Sequence, residues 1–73
     1  MSERPEFSVY QFFLDESCEE ELSLVGLEQA MDEAKRLTET LGARRGTTRR
    51  VIITDGGDCT VFEWQYGKGV TFT

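Results

Sequence analysis

From Leu24 to Gly46 the apolar positions recur at intervals of three and four: Leu27, Ala30, Met31, Ala34, Leu37 and Leu41. That spacing predicts one amphipathic α-helix with a narrow apolar stripe of small and medium side chains. Glu28, Gln29, Asp32, Glu33, Lys35, Arg36, Glu39 and Thr40 fill the other face. Acids lead and Arg44 and Arg45 close the segment, an order that complements the helix dipole. Ser23 or Gly26 is the expected start. Gly46 is the expected C-terminal glycine, with Gly42 as the alternative stop.

Outside this stretch the pattern is that of strands. Phe7 to Leu14 is rich in aromatic and β-branched residues, and neither of its alternating faces is clearly polar. Glu20 to Val25 reads as a shorter strand pairing back on it. Arg49 to Thr54 has a continuous apolar centre, as a central strand would. Asp55-Gly56-Gly57-Asp58 predicts a hairpin turn of the glycine-rich kind that accommodates positive φ. Cys59 to Tyr66 alternates cleanly, with Thr60, Phe62, Trp64 and Tyr66 on one side and Cys59, Val61, Glu63 and Gln65 on the other. Val70 to Thr73 can add a last strand after Gly67-Lys68-Gly69.

The order ββαββ predicts an α+β, two-layer domain over residues 6–73: one mostly antiparallel sheet of four or five strands with one helix on one face. Residues 1–5 are polar, end in Pro5 and are expected to form a flexible arm. Phe62 and Trp64 are expected to face the helix, because that side of their strand lacks charge. One helix leaves the other sheet face open. Val9, Phe13, Val51, Ile53 and Val61 are candidates for an apolar patch there, the choice between Ile52 and its neighbours depending on register. A second copy is the expected cover, since two-fold dimers are the commonest assembly.

Composition narrows the possible functions. The chain has 73 residues and a formal charge of −6, and it lacks histidine altogether. Its charge opposes nucleic acid and anionic membrane, and no apolar run is long enough for a transmembrane helix. The start of the chain lacks the apolar core of a signal peptide, so a cytoplasmic protein is expected. Cys18 and Cys59 fit no CxxC pattern and are read as free thiols. Cys18 also lies among acids, which disfavour a thiolate nucleophile. Without histidine or any nucleophile–base pair, an enzyme is not the expected reading, and no cofactor or metal is expected. The DGGD turn has two carboxylates but not the spacing of a calcium loop.

One cluster remains. Arg44, Arg45, Arg49 and Arg50 are half of the chain's bases within seven residues. Arginine forks grip phosphate or carboxylate, and Thr47 and Thr48 between them offer hydroxyls. Strand alternation, however, is expected to send Arg49 and Arg50 to opposite faces. The acidic stretch Asp15 to Glu21 is a ready partner for the arginines, within one chain or between two. The leading expectation is thus a non-catalytic interaction or structural domain that dimerises through its open sheet face and offers a surface to a protein partner. An anion- or nucleic-acid-binding module at Arg44–Arg50 is the alternative.

Overall fold

The computed structural model describes residues 5–73; the expected arm, residues 1–5, lies outside them except for Pro5. Five strands and two helices follow in the order β1 (Phe7–Phe13), β2 (Cys18–Val25), α1 (Leu27–Leu37), α2 (Leu41–Arg45), β3 (Thr48–Thr54), β4 (Thr60–Gln65) and β5 (Gly69–Phe72). The strands form one antiparallel sheet in the order β2-β1-β3-β4-β5. The class is α+β, with α1 packed on one face across β1, β2 and β3.

The single expected helix is two. α1 starts after Gly26 and ends at Thr38. The Thr38 hydroxyl donates to the Lys35 carbonyl at 2.8 Å and the Thr40 hydroxyl to that of Leu37 at 3.2 Å. Threonine hydroxyls that compete for helix carbonyls favour a break over continuation. Thr40 then caps α2, its Oγ1 accepting from the Ala43 amide at 3.1 Å. Gly46 closes α2 in the left-handed region, at φ 93°. The stripe is correspondingly shorter than expected. Ala30, Ala34 and Leu37 are buried, whereas Met31 is partly and Leu41 largely exposed.

Ala30 and Ala34 let α1 approach the sheet closely. Beneath them lie Val9, Val51, Ile53 and Phe62, with Phe7, Leu22, Val25, Val61 and Trp64 packed around. Register fixes this face: Val9 pairs with Ile53, Ile53 with Phe62, and Val51 with Trp64. Phe62 and Trp64 therefore face the helix side, as the charge pattern of β4 implied. A buried polar chain crosses the same layer. The Thr48 hydroxyl donates to Gln11 Oε1 at 2.7 Å, and Gln11 Nε2 donates to Glu21 at 2.6 Å. Both partners of each buried group are thus supplied by the fold.

The hairpin at Asp55–Asp58 forms, but its geometry corrects the expectation. The positive φ (62°) falls on Asp58, not on either glycine. Asp55 Oδ1 accepts from the Gly57 and Cys59 amides and holds the turn. A Cβ at Gly56 would lie 2.9 Å from the Glu6 carboxylate, a contact that the flexible glutamate side chain can relieve by moving.

A basic cleft at one end of the sheet

Thr48 and Val51 both point toward the helices, the first bonded to Gln11 and the second in the core. Two residues separate them, so regular alternation cannot hold. Pairing with β1 skips here: Phe12 opposes Arg50 and Phe13 opposes Thr48, which leaves Arg49 unmatched on β1. Arg50 lies on the open face with Phe12 and Glu63, while Arg49 reaches the Gly46 carbonyl at the end of α2. The skip breaks the two-residue period at Arg49, and both side chains, though they leave the strand in different directions, border one cleft at the end of the sheet.

Both arginines line a shallow cleft of about 440 Å³, with Phe12, Phe13, Gln65, Tyr66, Lys68 and Glu16. Each guanidinium is backed by a ring. Arg49 stacks over Tyr66 at 4.7 Å from the centroid and Arg50 over Phe12 at 4.6 Å. Arg49 Nη1 also donates to the Gly46 carbonyl at 3.4 Å, and Arg50 sits 3.5 Å from the Glu63 carboxylate. At exposed sites such cation–π contacts contribute about 0.5–1 kcal/mol and restrict the motion of both forks. Gly46 makes room for the assembly, since a Cβ there would come within 3.1 Å of the Tyr66 ring.

Topology extends the charge around the cleft. β2 and α1 run in opposite directions, so the last turn of α1, all of α2, the start of β3 and the β4–β5 turn share one end of the molecule. Every lysine and arginine among the described residues lies there: Lys35 and Arg36, Arg44 and Arg45, Arg49 and Arg50, and Lys68. The opposite end carries Glu6, Glu28, Asp55 and Asp58 and no base among the described residues. Arg44 and Arg45 are exposed on α2 and do not line the cleft, so the four-arginine cluster of the sequence divides into pairs. Lys68, far along the chain, is the cleft residue that local spacing missed. From the acidic stretch, Glu16 lines the cleft of its own chain. Glu20 instead accepts from Tyr10 at 3.2 Å, and burial together with that carboxylate raises the Tyr10 phenol above its ordinary value.

The expected dimer patch is placed differently. Val9, Val51 and Ile53 are fully buried against α1, and Val61 also packs on that core. Phe13 lies at the sheet end, between the β1–β2 hairpin and the arginine cleft, and lines both. By register the open face carries Tyr10, Phe12, Ile52 and Phe72 among Glu20, Arg50 and Glu63. Its polar groups already pair with one another: Tyr10 with Glu20, Arg50 with Glu63, and Gln65 with Glu63 at 3.0 Å. Apolar area there is broken into islands.

Among the described residues no group of metal-ligating side chains comes together, and both cysteines are exposed. No helix among them is long and apolar enough to cross a membrane. No family model matches the chain, and no match emerges among curated proteins or solved structures.

Proposed function

We propose that this chain is a non-catalytic binding domain that takes an anionic group, phosphate or carboxylate, of a partner in the cleft between Arg49, Arg50 and Lys68. The observation that carries the reading is that two consecutive arginines beside the β3 bulge, each backed by an aromatic ring, border one cleft. Planar forks with restricted rotation lose less entropy on gripping an oxyanion than free side chains do. The two rings are spent on the guanidiniums. The net charge of −6 opposes the long-range attraction that a polyanion needs, which favours a single anionic group over single-stranded nucleic acid.

Inorganic pyrophosphate is the simplest probe. Titrated into labelled protein, it is expected to shift the amides of Arg49, Arg50, Gln65 and Lys68, with weakening as salt screens the cleft. Arg49→Gln together with Arg50→Gln is expected to lower affinity at least tenfold while Arg44→Gln with Arg45→Gln changes little. Binding that follows Arg44 and Arg45 instead would refute this assignment. Homodimerisation is a separate property, supported less by the open face, with its internally paired charges, than by the free edge of β5.

A further inference from the structure

The two edges of the sheet are guarded unequally. β2 carries Glu19, Glu20 and Glu21 in succession, its pairing with β1 shifts register twice, and Leu24 sits at φ 56°. Charges and bulges of this kind keep another strand from adding. β5 is guarded less: its four residues Gly69–Phe72 carry no charge and its outer edge is unpaired, with one register skip against β4, at Thr71, and a positive φ only at Gly69. Val70 and Phe72 are each about half exposed, at 55% and 51%. α1 stops short of this side, so a groove of about 270 Å³ runs beside the edge, with Met31, Phe62, Trp64 and Val70 as its apolar lining and Asp32, Lys35 and Thr38 of α1 along its rim.

We propose that β5 pairs antiparallel with β5 of a second copy, making one ten-stranded sheet about a two-fold axis perpendicular to it. Such a pairing closes on itself, whereas β5 against β2 of another copy would propagate. Charge selects the same arrangement. The two-fold sets the basic end of each copy beside the acidic end of the other. Lys68, in the turn before β5, then lies on the same side as the Asp55–Asp58 turn of the second copy, one strand beyond the seam. A β2–β2 seam would oppose glutamates instead. Both α1 helices fall on one face of the joined sheet, flanking a trough floored by Trp64 and Val70 of each copy. Four residues per edge bury far less than a standard interface of about 1,600 Å², so the dimer is weak, micromolar or above.

Sedimentation equilibrium of the full chain from micromolar to millimolar concentration tests this. The mass is expected to rise from 8.3 kDa toward twice that value. Val70→Lys is expected to hold it at the monomer value, and Leu24→Lys on β2 to leave the rise intact. Amide exchange in the unmodified chain gives a check that needs no variant: protection at residues 70–72 should grow with concentration and that at residues 22–24 should not. A mass fixed at the monomer value throughout overturns the proposal. So does a dimer that survives Val70→Lys, or one that Leu24→Lys abolishes.

Discussion

Ile52 and Ile53 are neighbours in β3 with the same side chain, and they separate the two faces of the sheet. Ile53 is fully buried beneath α1, between Val9 and Phe62; Ile52 lies half-buried on the open face, opposite Tyr10 and Glu63. Truncating Ile53 to alanine removes three carbons from the core. At about 0.8 kcal/mol each the transfer loss alone is roughly 2.4 kcal/mol. A cavity under a helix already held close by Ala30 and Ala34 collapses poorly, which places the total in the range of about 2–5 kcal/mol. A chain of this length has roughly 4–11 kcal/mol to lose, so Ile53→Ala removes a large share. Ile52→Ala is expected to cost about 1 kcal/mol, half or less of that transfer loss, because the site stays in contact with water. Urea unfolding of both variants, with unchanged slope, measures the difference. In a thermal scan the transfer part alone lowers the midpoint for Ile53→Ala by roughly 10–20 °C. Equal costs, or a larger one at Ile52, would mean that the buried face is the one now described as open, and the placement of the arginine cleft would fall with it.

Other expectations are local. Thr40→Ala removes the cap of α2 and should cost about 0.5–2 kcal/mol in urea unfolding, whereas Thr40→Asp should retain most of the stability. Gly46→Ala puts a side chain at φ 93° and into the Tyr66 ring; it should destabilise by about 1 kcal/mol or more and also weaken pyrophosphate binding by displacing Arg49. Hydrogen bonds from the Ser17 hydroxyl and amide hold the Asp15 carboxyl below the usual range, and the Arg36 guanidinium does the same for Glu33. A depressed carboxylate contributes stability above its unfolded pKa and loses it as pH falls through the folded one. Glu19 has the opposite sign, because the hydrogen bond and charge of Glu21 raise it; its contribution is present at low pH and is lost as pH rises through its folded value. Carboxylate titration by NMR should find Asp15 and Glu33 low and Glu19 high, with Ser17→Ala, which keeps the amide bond, raising Asp15 part of the way back and Glu21→Gln lowering Glu19 toward its ordinary value.

Periodicity was enough to predict the antiparallel α+β plan, the helix-facing side of β4 and the glycine that ends the helical segment. It overran at Thr38–Thr40, where the apolar spacing continues to Leu41 although two threonine hydroxyls terminate the helix. The signal was present as Thr40 directly before an apolar residue, a capping position read as surface. The cleft was legible only in part. Arg49 and Arg50 stand out in the sequence, but their meeting at one cleft follows a register skip set by pairing with β1, and a bulge leaves no composition mark of its own. Likewise Gln11 looks like a surface residue until Thr48 and Glu21 are brought to it from other elements. Lateral position of a helix over a sheet is equally silent in the chain, so the uncovered groove beside β5 emerges only with the fold.

Lys68 links the two proposed surfaces, and the link has a sign. Lys68 lines the arginine cleft, and the strand it leads into is the edge proposed to meet a second copy. One side chain cannot hold an anion in its own cleft and face the acidic turn of another copy at full strength. Pyrophosphate and dimerisation are therefore expected to oppose each other. Reciprocity requires that the factor by which pyrophosphate weakens the dimer equal the factor by which the dimer weakens pyrophosphate. Sedimentation with and without pyrophosphate measures the first factor, and titrations at low and high chain concentration measure the second. Lys68→Gln should bring both to unity while leaving the β5 pairing and the two arginines in place. If the two processes are independent in the unmodified chain, Lys68 serves one surface at most. If pyrophosphate strengthens the dimer, the two clefts are completed across the seam, and the charge argument for the two-fold arrangement is reversed.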